Sequence, residues 1–170
     1  MSDERLLLGR LFVRDGEGVV RMECSLDAGI DDVWAALTEP GRLAGWFGEV
    51  EGDLAENGAF RVRILLSGDR VGRVEVCRPP ERLLVTLGDP DPRPGQPAQT
   101  RLEIQLHPEQ TRASLVWEQR GMPVELLPAY GTGIQIHVEH LVDHLNGREL
   151  RDVEARWQEL LSAYEAAEVG

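Results

Sequence analysis

The chain has 170 residues, 42% hydrophobic and 28% charged, the make-up of one globular domain and not of a fibrous, disordered or membrane-spanning chain. Its formal net charge of -12 repels phosphate backbones and anionic head groups, so neither nucleic acid nor a membrane surface is expected as a partner.

The N-terminal MSDERLLLGR has an acidic start and a run of only three leucines, which is not the pattern of a signal peptide, and the cytoplasm is the default expectation. RLFV and VVRMECSL then flank the turn-rich RDGEG and read as a β-hairpin. In its second strand Val20, Met22, Cys24 and Leu26 share one face, against Arg21, Glu23 and Ser25. Cys24 and Cys77 are too far apart for a metal pair and too few for a disulfide scaffold, and are read as reduced, half-buried thiols.

The hydrophobic period changes at Asp31, read as an N-cap, and Val33, Trp34 and Leu37 take helical spacing. Pro40 suits the first turn of a second short helix, which Arg42, Leu43 and Trp46 carry to a stop at Gly48. EVEGDLAENG reads as an acidic connector. Strands follow in GAFRVRILLSG, with Phe60, Val62 and Ile64 on one face, and in RVGRVEVCR, with Gly72, Val74 and Val76 opposite Arg73, Glu75 and Cys77. RLLVTLG, TRLEIQLHP and RASLVWEQRG add three more; Leu102, Ile104 and Leu106 share a face in one, Leu115 and Trp117 in another. Short connections argue for an antiparallel meander, and DPDPRPGQPAQ, with its four prolines, is read as a long hairpin loop inside it.

From about Leu126 a 3.6-residue period returns: Tyr130, Ile134, Val138, Leu141, Val142 and Leu145 form the stripe of a long helix closed by Asn146-Gly147. A further helix carries Leu150, Val153, Trp157, Leu160, Leu161 and Tyr164 on one face, a stripe that must be covered by this chain or by a copy of it.

The order strands, two short helices, antiparallel strands, long helix reads as an α+β domain, and a curved sheet wrapping one long helix would leave a cavity if the two do not meet along their whole length. The chain resembles the START-like (SRPBCC) superfamily with the helix-grip fold, in the branch similar to the activator of the ninety-kilodalton heat-shock protein ATPase. The residues that carry this are VWAALTEPGRLAGWF at 33–47, NGAFR at 57–61, GRVEVCRPPERLLVT at 72–86, TRASLVWEQRGMP at 111–123 and YGTGIQIHVEHLVDHL at 130–145. The resemblance covers about residues 9 to 146; with the helix read at about 149–167, one domain over 1–170 is expected. It does not choose a function, because the superfamily includes lipid-transfer domains, hormone receptors, polyketide cyclases, oxygenase domains and chaperone activators.

Trp34, Trp46 and Phe47 read both as anchors of the two short helices and as the end wall or lid of the cavity. His137, His140 and His144 cluster on one side of the long helix, and the last two have the spacing of a helical zinc pair. Glu139 and Asp143 point elsewhere on that helix, so a solvated or boundary face is expected, with His137 alone reaching the cavity edge. Glu118, Arg120 and Tyr130 are the polar groups expected near the rim, but the parity that sends Leu115 and Trp117 inward sends Glu118 outward. Thr86 could face in, with no nucleophile elbow, phosphate loop or carboxylate pair beside it. Arg61, Arg63 and Arg73 are expected to pair with Glu75 and its neighbours on a solvated sheet face.

The expectation is therefore a binding protein with no catalytic residue, no metal and no cofactor. Its cavity, lined by Trp34, Trp46, Phe47, Phe60, Val62, Ile64, Val74, Ile104, Leu115, Trp117, Tyr130, Ile134, His137 and Leu141, would take a small hydrophobic or amphipathic molecule. The alternatives are a protein-interaction module, either a chaperone cofactor or a homodimer paired through the C-terminal helix, and a polyketide cyclase-like enzyme.

Overall fold

The computed structural model describes residues 8–94 and 99–170. The expectations for the first seven residues and for the 95–98 tip of the proline-rich loop lie outside the described residues.

β1 (Arg10–Arg14) and β2 (Glu17–Leu26) form the expected hairpin, turned at Asp15 and Gly16 with φ of 53° and 80°. Both residues are left-handed, as a tight turn matched to strand twist requires. α1 (Ile30–Thr38) and α2 (Pro40–Leu43) follow. The N-cap of α1 is Gly29, not Asp31; Asp31 and Asp32 fall in the first turn, where the helix dipole favours carboxylates. α2 is only four residues long, and Gly48 opens a strand instead of ending a helix.

That strand, β3 (Gly48–Gly52), lies inside the segment read as a connector and pairs with β4 (Ala59–Ile64) at the sheet edge. Its sequence, GEVEG, is too short and too acidic to show β periodicity, and only the pairing makes it a strand. β5 (Gly68–Arg78), β6 (Arg82–Gly88), β7 (Gln99–Glu109) and β8 (Arg112–Met122) continue the meander. The order is β1-β2-β8-β7-β6-β5-β4-β3, antiparallel throughout, so the N-terminal hairpin joins the far edge of the meander through β2 and β8.

One register shift changes the predicted faces. Between Val74 and Val76 the β5 ladder skips Glu75, so Val76 pairs with Leu84 and Cys77 with Leu83. A bulge of this kind reverses side-chain parity. Cys77, not Val76, therefore packs on the core with Leu83. Thr86 faces outward, donating to Glu75 at 3.0 Å, so Glu75 is engaged by a hydroxyl and not by the arginines expected to pair with it. Arg63 pairs instead with Asp69 directly across the ladder.

A 3-10 turn at Val124–Leu126 leads into α3 (Leu127–Leu145), and α4 (Val153–Ala166) closes the fold. α3 packs closely along β1 and β2, and a Cβ at Gly131 would lie 2.9 Å from Leu11 and 3.2 Å from Tyr164. Glycine there lets the helix pass close between sheet and α4, where a larger residue would press on both. The other half of the sheet curves away from α3, and the space between them is the candidate site.

α4 lies on the outer face of α3 in its own chain, with Leu160 and Tyr164 buried there. The interface is polar on the α3 side. Arg156 reaches Glu139 through two contacts of 2.7 Å, Arg151 reaches Asp143 at 2.8 and 2.9 Å, and Gln135 donates to Glu139 at 3.1 Å. The Tyr164 hydroxyl donates to Gln135 and accepts from the Gly9 amide at 2.7 Å. The polar side of α3 is thus a second packing surface, not a solvated face.

Candidate functional site

The larger of two chiefly apolar cavities, about 330 Å³, lies between α3 and strands β4 to β8. Its sheet wall is Ile64, Leu87, Leu102 and Trp117, its helix wall Tyr130, Gly133, Ile134 and His137; Phe47 closes one end. Trp157 of α4 completes the rim, passing Gly133 where a Cβ would sit 3.6 Å from its ring. Arg70, Asp89, Thr100 and Gln119 bring polar groups to the same wall.

The aromatic end is built from the turn after α2. Trp46 is 1% exposed and fixed, because its Nε1 donates to the Ala36 carbonyl at 2.9 Å. Its ring meets Trp117 edge-on at 6.5 Å and Phe47 at 5.4 Å, and Phe47 in turn lies 4.9 Å from the His137 ring. These separations are those of favourable tilted aromatic pairs. Phe47 is only half-buried and makes no hydrogen bond through its side chain, so packing alone holds it.

Trp117 Nε1 and His137 Nδ1, two polar atoms in this wall, are buried and make no hydrogen bond among the described residues. Burial, reinforced by the nearby His140, pushes the His137 pKa down to about 3, so the imidazole is neutral at physiological pH and keeps one donor and one acceptor nitrogen. A buried donor without an acceptor costs about 1 to 3 kcal/mol. Beside them Gln119 donates to the Thr100 hydroxyl at 3.1 Å.

The histidines do not converge. His140 shares a hydrogen bond of 3.2 Å between its Nε2 and the Arg151 carbonyl, while His144 Nε2 accepts from Arg42 Nε at 3.0 Å. Burial and the Arg42 charge lower the His144 pKa, against Asp32, which raises it. Among the described residues no three histidine, cysteine or acidic side chains are placed to hold a metal. The face expected to be solvated or a boundary is buried at His140, 2% exposed under the segment before α4, and half-buried at His144, while His137, 8% exposed, lies on the cavity wall.

Glu118 does face away from the cavity, as its parity requires, yet it is 6% exposed, held on the outer face by Arg14 at 3.0 Å and Arg21 at 2.8 Å. Those hydrogen bonds outweigh its desolvation and lower its pKa, so it is a structural carboxylate. Arg120 lies on the same outer face, 3.5 Å from Glu118. Of the expected rim groups only Tyr130 reaches the cavity.

Of the anticipated lining, Phe47, Ile64, Trp117, Tyr130, Ile134 and His137 meet in the larger cavity. Trp46, Phe60, Val74 and Ile104, again with Phe47 and Trp117, line a second chamber of about 60 Å³ under α1 and α2. Val62, Leu115 and Leu141 are core residues on the wall of neither, and Trp34 is a half-buried residue of α1 packed on the core. Gln119 and Thr100 were missed, although each continues an inward parity already read: Leu115, Trp117, Gln119 and Thr100, Leu102, Ile104. No sequence signal points to Trp157, which reaches the site only through the docking of α4.

The family model described as activator of Hsp90 ATPase homolog 1-like protein matches residues 27–161. No curated protein matches the chain. Among solved structures, CalU16 from Micromonospora echinospora superimposes with a TM-score of 0.75 at 28% identity, over 95% of this chain and 96% of that one. A protein from Bordetella parapertussis gives 0.72 at 17% identity, over 93% and 89% of the two chains. DynU16, from the dynemicin biosynthetic locus, gives 0.69 at 23% identity over 82% of this chain and 51% of its own, so this chain spans about half the length of DynU16. With the family model spanning most of the sequence and the helix-grip architecture in place, the chain belongs to the family of proteins like homolog 1 of the activator of the Hsp90 ATPase, within the START-like superfamily.

Proposed function

We propose that this protein binds a small hydrophobic or amphipathic molecule in the cavity between α3 and the sheet. The observation that carries the reading is an apolar, aromatic-walled space of about 330 Å³ whose lining residues Trp117 and His137 each hold a buried polar atom, Nε1 and Nδ1, with no partner among the described residues. Ligand sites combine these two features: apolar burial supplies affinity at about 25 cal/mol per Å², and a few placed polar groups fix orientation. One chain suffices, because the apolar residues Leu160 and Tyr164 of α4 are already covered by α3.

The test is native mass spectrometry of the purified protein for a copurified molecule, followed by thermal unfolding with a panel of aromatic and amphipathic compounds. A ligand at a hundred times its Kd adds about 2.7 kcal/mol, or roughly 5 to 10 °C in Tm for a chain of this size. If no compound shifts Tm and a crystal structure shows the cavity filled by side chains, the reading is wrong.

A further inference from the structure

The larger cavity and the second chamber share four residues, Phe47, Leu87, Leu102 and Trp117, so a single layer of side chains separates them. The two spaces differ in chemistry. Arg70, Asp89, Thr100, Gln119 and His137 bring polar atoms to the larger one. Apart from Trp117, which it shares with the larger one, the smaller one has only two polar side chains, both satisfied: the Thr38 hydroxyl donates to the Trp34 carbonyl at 2.7 Å and Trp46 Nε1 to the Ala36 carbonyl at 2.9 Å.

The four partition residues are not equally fixed. Leu87, Leu102 and Trp117 are buried on paired strands, at 8%, 5% and 2% exposure. Phe47 is half-buried and lies in the turn between α2 and β3, outside the strand ladders, so it has more room to change rotamer than the other three.

We propose that the second chamber is a subsite for an apolar arm of the ligand and that Phe47 controls access to it. The ligand class follows: an amphipathic molecule with a hydrogen-bonding head near Trp117 Nε1 and His137, and a short alkyl or compact apolar arm that passes Phe47 toward Val74 and Ile104. This rests on the binding reading above and adds to it a direction and a limit on arm length.

The experiment is calorimetric titration of the full chain with a series of 4-n-alkylphenols, from ethyl to heptyl. In the wild type, affinity rises roughly fourfold per methylene while the arm enters apolar space. Leu54→Phe narrows the second chamber from its half-buried rim, and Val50→Ile narrows it from the edge strand should the first variant fold poorly. The expected result is that the ethyl compound binds both proteins equally, while the gain per methylene disappears in the narrowed variant. Phe47→Ala carries the gain further along the series than the wild type does. Identical chain-length profiles in wild type and narrowed variants, with the ethyl compound bound, overturn the subsite and leave the binding reading standing. Binding of no member to the wild type overturns the ligand class and its subsite, while the binding reading is decided by the broader panel above.

Discussion

The contact between α3 and α4 gives the sharpest energetic prediction. Glu139 is fully buried, and its charge is met by Arg156 through two 2.7 Å contacts, with Arg151 at 3.5 Å. Arg156 is less committed: its side chain keeps 20% of its exposure and has a second partner in Glu159 at 2.7 Å. The two halves of the pair should therefore respond unequally. Arg156→Ala leaves a buried carboxylate with one distant arginine and the Gln135 amide, a loss near the lower end of that for breaking a buried pair, about 3 kcal/mol. Glu139→Gln leaves an arginine that still has Glu159 and water, at a cost of about 1 kcal/mol. Glu139→Gln combined with Arg156→Met removes both charges and should recover much of the difference, because a buried pair is a weak net stabiliser against an apolar replacement. Guanidinium unfolding of the four proteins reads these values, and thermal unfolding should place Arg156→Ala about 6 to 12 °C below the wild type. Equal losses in the two single variants, or a double variant no better than Arg156→Ala alone, would refute the reasoning.

His137 makes stability pH-dependent. Its folded pKa is depressed to about 3, so the unfolded chain binds the extra proton between pH 3 and about 6.5, and stability is present above that window and falls as pH is lowered through it. Between pH 7 and pH 5 the group accounts for a loss of about 2 kcal/mol, which His137→Phe should remove; denaturant midpoints of both proteins at the two pH values check this. Tyr164→Phe deletes a buried hydroxyl that accepts from the Gly9 amide and donates to Gln135, at a cost of about 1 to 2 kcal/mol. Hydrogen exchange at the Gly9 amide should accelerate in that variant, and unchanged protection there would show that the hydroxyl does not hold the N-terminal segment.

Much of the fold was legible because local patterns and tertiary outcome agree. The Asp15-Gly16 turn, the alternation in β2, β4, β7 and β8, and the stripe of α3 each follow from one period of apolar residues meeting one surface. The errors have local causes. The bulge at Glu75 reverses parity within a strand whose residues alternate without interruption, and β3 is a strand only because β4 offers it an edge. The candidate site was half legible: inward parity found Trp117, and carried two residues further it finds Gln119.

By itself the sequence determined most of the inward-facing residues outside the β5 bulge and the order of the elements apart from β3, and so the family and the helix-grip fold. It could not separate the polar side of α3 from a solvated face, since Gln135, Glu139 and Asp143 at four-residue spacing look the same whether water or arginines from residues 151 and 156 cover them. Nor could it show the cavity, the partition at Phe47 or the approach of Trp157. These depend on where sheet curvature carries β4 to β7 away from a straight helix and on where α4 docks. Side-chain periodicity records which face is apolar, not how far the next apolar face lies from it.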